Sequence, residues 1–148
     1  MQEFQLLLQE SYRSWNDIHQ LYCRWAREHG MTHHALFTLY AIYVSPEGCR
    51  PSSISEEWSI PKQTVSSILK VFDQKGYLLQ LPDPGDRRNK RLALTAEGLR
   101  YAGQVLLPLR QMEMTALKRM GAPACRAMNQ YNDQFCRLLR QEMEGTPV

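Results

Sequence analysis

In Gly76-Tyr77-Leu78-Leu79-Gln80-Leu81-Pro82-Asp83-Pro84-Gly85-Asp86-Arg87-Arg88-Asn89-Lys90-Arg91-Leu92-Ala93-Leu94-Thr95 the apolar period of the chain changes. Tyr77, Leu79 and Leu81 alternate with Leu78 and Gln80, and on the return side Leu92 and Leu94 alternate with Arg91 and Ala93. Alternation of this kind puts successive side chains on opposite faces of a strand. The middle, Pro82 to Lys90, is rich in turn formers and in charge, so the stretch predicts a β-hairpin with a long basic tip.

Upstream, two short helices are expected. Ser52 or Ser53 can cap the first, with Ile54, Trp58 and Ile60 facing inward. Pro61 suits the first position of the second helix, where its missing N–H costs nothing. Val65, Ile68, Leu69 and Phe72 then keep a helical step as far as Gly76. For one helix to cross the other closely, a small residue is needed in the first, and Ser55 stands there; the turn carries Ser59 where glycine is common. Two crossed helices followed at once by a hairpin make a winged helix-turn-helix.

Longer helices flank this part. Phe4, Leu8, Tyr12, Trp15, Ile18, Tyr22 and Trp25 recur every three or four residues, and Gly30 can stop that helix. Thr32 caps a second helix with Leu36, Leu39, Tyr40 and Tyr43 on its apolar face, before the loop of Pro46, Gly48 and Pro51. Beyond the hairpin, Thr95 caps a helix opening at Glu97 or Gly98 and running through Leu99, Ala102, Leu106, Leu109, Met112, Ala116 and Met120; Pro108 should kink or split it. After Gly121, Pro123 opens a last helix striped by Ala124, Met128, Tyr131, Phe135, Leu138 and Leu139. The fold class expected is mainly α with a small β-hairpin wing, a winged helix-turn-helix between flanking dimerisation helices. The chain reads as a single domain over 1–148, with residues 31–95 as the winged part and 1–30 and 96–145 as the dimerisation helices.

Composition narrows the function. The 148 residues carry a net charge of +3, unevenly spread: residues 1–60 sum to −3, 61–91 to +4 and 92–148 to +2. Positive charge gathered around the second short helix and the hairpin points to a polyanion. The longest apolar run, Leu36 to Val44, is far short of the ~20 residues of a membrane span, and no basic leader opens the chain, so a cytoplasmic protein is expected. Cys23, Cys49, Cys125 and Cys136 form no CxxC pair, which suits a reduced compartment. No phosphate loop, nucleophile elbow, HExxH or paired-carboxylate pattern occurs, so neither catalysis nor a cofactor is expected.

Asp83, Asp86, Arg87, Arg88, Leu92, Leu94, Thr95 and Gly98 resemble the wing motif of the MarR family of bacterial transcription regulators, D-x-x-D-R-R, an alternating strand, then L-T-x-x-G. Ile60 to Leu69 and Lys75-Gly76-Tyr77-Leu78 are similar to that family's recognition helix and its approach to the wing. The order of elements agrees over roughly residues 4–143. Ser59, Trp58 in place of a smaller aliphatic, and Arg91-Leu92-Ala93 depart from the pattern.

Base edges in the major groove are read from the first turns of one helix. Lys62, Gln63, Thr64, Ser66, Ser67 and Lys70 are the polar positions there: Gln63 suits adenine, Lys62 guanine, and the hydroxyls bases or phosphate. Arg87 and Arg88 suit a narrow minor groove, Lys90 and Arg91 phosphates, and Ser53 a phosphate near the first short helix, while Asp86 orients an arginine or closes the loop. Trp15, Trp25, Phe4, Phe135, Leu138 and Leu139 exceed what one small domain covers, so a homodimer on a pseudo-palindromic duplex is expected, its recognition helices ~34 Å apart. A repressor is the expected role.

The resemblance also implies a small aromatic effector between dimer helices and DNA-binding part, where Trp15, His19, Tyr22, Tyr40 and Tyr43 would line the cleft. Some members bind zinc through cysteine and histidine from the region of Cys23, His29, His33 and His34, but the fifth helix supplies no histidine, so no metal is expected. Cys23 lies further along than the family's peroxide sensors place their thiol. The alternative function is a winged-helix protein-interaction module without DNA; the four basic residues of the tip argue against it.

Overall fold

A computed structural model describes residues 2–85 and 90–145. The elements are α1 (Gln2–Glu28), α2 (His33–Tyr43), α3 (Pro51–Glu57), α4 (Lys62–Gln74), β1 (Leu78–Pro82), β2 (Lys90–Leu94), α5 (Ala96–Met120) and α6 (Ala122–Glu144). They fall into two compact units, Met1–Leu107 and Pro108–Val148.

The first unit is organised around α2. Ala35, Leu36, Thr38, Leu39, Ala41 and Ile42 are buried, which leaves little of this helix to solvent. A helix apolar on nearly every side belongs inside a core rather than along its edge. Also buried in this unit are Ile54, Ile60, Val65, Leu69 and Phe72 from the two short helices and the turn between them, Leu92 and Leu94 from β2, and Ala102, Val105 and Leu106 from α5. Tyr40, read as part of the inward face, is instead exposed. Leu99 also points outward, and Val105 takes the inward place on α5.

Helix ends follow the local chemistry. Thr32 Oγ1 accepts from Ala35 N at 3.1 Å, as expected of a cap. Gly30 N donates to Arg27 O and Met31 N to Ala26 O, each at 3.0 Å, with Gly30 at φ 69°. This paired closure needs a left-handed residue, which glycine adopts without steric cost. The same pattern ends α4: Gly76 N reaches Asp73 O and Tyr77 N reaches Phe72 O, and the Phe72 and Tyr77 rings lie 6.4 Å apart.

Helix boundaries differ from expectation at several points, α5 opening at Ala96 and α6 at Ala122, each earlier than read. Arg50, not Ser52 or Ser53, stands at the cap of α3, because Pro51 already occupies the first turn, where it needs no N–H partner. Pro61 is the cap of α4 rather than its first helical residue. Pro108 neither ends nor splits α5. The carbonyl it deprives is that of Gln104; both residues are exposed, so water can satisfy that oxygen.

β1 and β2 pair antiparallel, Leu78 opposite Leu94 and Pro82 opposite Lys90. Cys49 adds a third edge the sequence did not reveal, exchanging two backbone bonds with Leu92 at 2.8 and 2.9 Å. Gly48 makes this possible: its φ is +87°, and a Cβ there would stand 2.8 Å from Arg91 Cβ.

α1 joins its unit chiefly at its C-terminal end. Ala26 is fully buried, and Trp25 Nε1 donates to Val105 O at 3.1 Å. Further back, Phe4, Leu8, Tyr12, Trp15 and Ile18 are all exposed, between 40 and 74%. In the second unit, α6 has no buried residue at all. Met128, Tyr131, Phe135, Leu138 and Leu139, the stripe read from the sequence, are exposed along it.

Candidate nucleic-acid interface

The crossing of α3 and α4 depends on Ser55. Its hydroxyl, buried, donates to Ile60 O at 2.6 Å, and Ile60 N returns a bond to Ser55 O at 3.1 Å. A larger side chain would push the turn away. Ser59, where glycine is common, adopts φ 50°. A non-glycine residue in that region costs about 1–2 kcal/mol, so the turn is held by its neighbours rather than by its own preference. Trp58 contributes by stacking on Phe37 at 4.9 Å and meeting Tyr40 edge-on at 5.6 Å.

With α4 fixed, its two faces separate cleanly. Val65, Leu69 and Phe72 are buried. Lys62, Gln63, Ser66, Ser67 and Lys70 are exposed, and Thr64 is half-buried. At about 100° per residue, the five exposed positions span an arc of roughly 140° opposite the core. That is the width of one helix face, and it displays amide, hydroxyl and ammonium groups together. Ser67 Oγ donates back to Gln63 O at 2.9 Å, leaving its oxygen available as an acceptor. Ser53 is exposed in the first turn of α3.

The wing is anchored at both feet. Thr95 N donates to Tyr77 O at 2.9 Å. Thr95 Oγ1 donates to Gly76 O at 2.7 Å and accepts from Gly98 N at 3.0 Å, so it caps α5 as expected and ties it to the end of α4. Gly98 permits the contact: a Cβ there would lie 2.3 Å from Tyr77 O. The Tyr77 and Tyr101 rings stack at 4.6 Å, and burial together with that neighbour raises the Tyr101 phenol above its ordinary value.

A charged pair missed in the sequence holds the rim. Arg50 Nε donates to Asp83 Oδ2 at 2.5 Å, and Gly85 N donates to Asp83 Oδ1 at 3.0 Å. Asp83 is buried, and these two bonds pull its carboxyl down to about 2. The signal available was an aspartate two residues before a glycine in a turn, a usual way for a carboxylate to accept a backbone N–H. Lys90 is exposed; Arg91 is half-buried, and its Nε is buried without a hydrogen-bond partner among the described residues. The expectations for Asp86, Arg87 and Arg88 lie outside the described residues.

The five residues expected to line an effector cleft are engaged in different contacts. Tyr22 packs on Phe37 at 5.5 Å, Tyr40 on Trp58, and Trp15 on Tyr12 at 5.8 Å. Tyr43 is half-buried. A groove of about 250 Å³ lies elsewhere, along Gln111, Met112, Thr115, Ala116 and Arg119 of α5. His19 has other neighbours: its Nε2 is 3.3 Å from Cys23 Sγ, and its ring centroid is 4.6 Å from that of His33. Burial, then His34 and His19, lower the His33 imidazole below its ordinary value. His29 is turned away, with Nδ1 hydrogen-bonded to Trp25 O at 2.8 Å.

Residues 29–89, which span α2 to the wing, match the model of the MarR family. Two curated Escherichia coli proteins are similar to this chain: the HTH-type transcriptional regulator PrsX, 25% identical over 53% of this chain and 48% of its own, and PapX, 25% identical over 53% and 49%. The chain thus spans about half the length of the curated relatives it matches. A MarR family regulator from Neisseria meningitidis superposes with a TM-score of 0.80 at 20% identity, over 95% of this chain and 99% of that one. The MepR–DNA complex of S. aureus superposes with a TM-score of 0.68 at 18% identity, over 85% and 96%. At these identities the likeness is one of fold. Among the described residues no helix is long and apolar enough to cross a membrane.

Proposed function

We propose that the chain is a MarR family member, as the match of its winged segment to that family's model supports, and that it is a sequence-specific DNA-binding transcription regulator. It acts as a cytoplasmic homodimer without catalysis, and represses by occupying a pseudo-palindromic duplex. The observation that carries this reading is the polar face of α4, five exposed residues on one arc with the core at their back. In this reading Gln63 and Lys62 read bases, Thr64, Ser66, Ser67 and Lys70 bond bases or phosphates, and Ser53, Lys90 and Arg91 hold the backbone. Arg87 and Arg88 enter the minor groove on either side. The DNA-bound fold relative from S. aureus supports the same use of this architecture. The exposed stripes of α1 and of α6 support a two-fold partner, since apolar surface on this scale rarely stays in water. An aromatic effector near Trp15, His19, Tyr22, Tyr40 and Tyr43 would release DNA only by favouring one spacing of the two recognition helices.

Charge reversal tests the reading. Arg88→Glu should abolish specific binding at moderate salt and flatten the salt dependence, because fewer phosphates and groove contacts are neutralised, while light scattering still reports a dimer. Specific binding that survives the change would remove the minor-groove role. A folded dimer with no affinity for any duplex would favour the protein-interaction module instead.

A further inference from the structure

His19, Cys23 and His33 each offer one donor atom, and these three atoms all lie within 4.8 Å of one another. His19 and Cys23 are four residues apart on α1, so they share a helix face. His33 opens α2 across the turn at Gly30. The paired backbone closure at Gly30 and Met31 fixes that turn and so sets the start of α2 beside the end of α1. His19 Nε2 already touches Cys23 Sγ at 3.3 Å, about the donor separation found around a tetrahedral ion.

We infer that His19, Cys23 and His33 form a transition-metal site that takes Zn²⁺ or a similar borderline-soft divalent cation. One thiolate and two imidazoles are a donor set for such an ion and a poor one for Ca²⁺ or Mg²⁺, which take oxygen. Zn–N bonds of ~2.0–2.1 Å and a Zn–S bond of ~2.3 Å place tetrahedral donors roughly 3.3–3.6 Å apart. The three therefore need to close by about an ångström, within reach of side-chain rotation. Cys23 and His33 are half-buried and His19 is exposed, so the fourth position faces solvent and is filled by water. Binding releases the thiol proton to solvent and involves no redox step. The ion would clip α1 to the start of α2, close to where the winged part begins.

The test is a Co²⁺ titration of the full chain under reducing conditions, followed by Zn²⁺ displacement. A thiolate-to-cobalt charge-transfer band should grow to a single ion per chain and vanish when Zn²⁺ is added. Cys23→Ser should abolish the band. His19→Gln and His33→Gln should each weaken affinity at least about tenfold, since changes even one shell further out cost 10–100-fold. His29→Gln and Cys136→Ser should leave it unchanged, and circular dichroism of each metal-free variant should match the parent. A band that survives Cys23→Ser, or that disappears in Cys136→Ser, would overturn the site, as would its absence from the folded parent. No arm of this experiment uses DNA, so its result is separable from the regulatory reading.

Discussion

The winged segment and the outer helices solve opposite problems. Between Thr32 and Gly98, nearly every apolar stripe ends in a core: Leu36, Leu39, Ile54, Val65, Phe72 and Leu92 are buried, and capping or closing bonds hold the start of α2, the end of α4 and the start of α5. Along α1 and α6 the stripes are as regular, yet Phe4, Tyr12, Ile18, Tyr131 and Phe135 stand exposed. Periodicity thus announces a face to be covered, and only the fold says by what. The inner part covers its own face; the outer faces call for another surface.

The sharpest way to break this contrast is to truncate one leucine in each region. Leu39→Ala, in the fully buried centre of α2, should lower unfolding free energy by about 2–5 kcal/mol in urea. Leu138→Ala, on exposed α6, should leave single-chain stability almost untouched and instead make the melting temperature depend more steeply on protein concentration. Equal losses at both sites, independent of concentration, would erase the distinction.

What the sequence disclosed divides along the same line. The hairpin, the stops at Gly30 and Gly76 and the caps Thr32 and Thr95 were legible because each rests on local chemistry within a few residues. Ser55 was legible as a small residue, although its bond to Ile60 O was not. The Cys49–Leu92 bridge, the Arg50–Asp83 pair and the approach of His33 to His19 were hidden for a different reason. Their partners lie 43, 33 and 14 positions apart in the numbering, and no periodicity reports a contact between separate elements. The start of α3 was misplaced because Pro51, whose fixed φ suits the first turn, begins the helix ahead of both serines and leaves Arg50 at the cap. On α4 the polar face could be read residue by residue, since burial of Val65, Leu69 and Phe72 dictates what remains outside.

A smaller effect probes the joint of wing and α5. Gly98→Ala inserts a methyl against Tyr77 O, where 2.3 Å is available, and overpacking of this kind costs about 1–3 kcal/mol. The shift should show in thermal unfolding and in loss of amide protection at Thr95. Gly30→Ala is the useful partner: open space surrounds that glycine, so its cost comes only from the positive φ.

The mildest effect is in acid. Asp83 titrates near 2 when folded against 3.8 ordinarily, through its bonds from Arg50 and Gly85 N, with Arg91 also nearby. A carboxyl with a depressed folded value contributes stability above its unfolded value and loses it as pH falls. The rim of the wing should therefore hold down to about pH 4 and loosen progressively toward about pH 2. Proteolysis between Pro82 and Lys90, followed across that range, should track the change in the parent and be insensitive to pH in Asp83→Asn.

The most direct test of the central claim is selection of bound duplexes from a random pool at two salt concentrations. A two-fold symmetric site, with half-sites about one helical turn apart (~34 Å) and affinity falling steeply with salt, is the predicted result. Recovery of no preferred sequence by a folded dimer at either salt would contradict it.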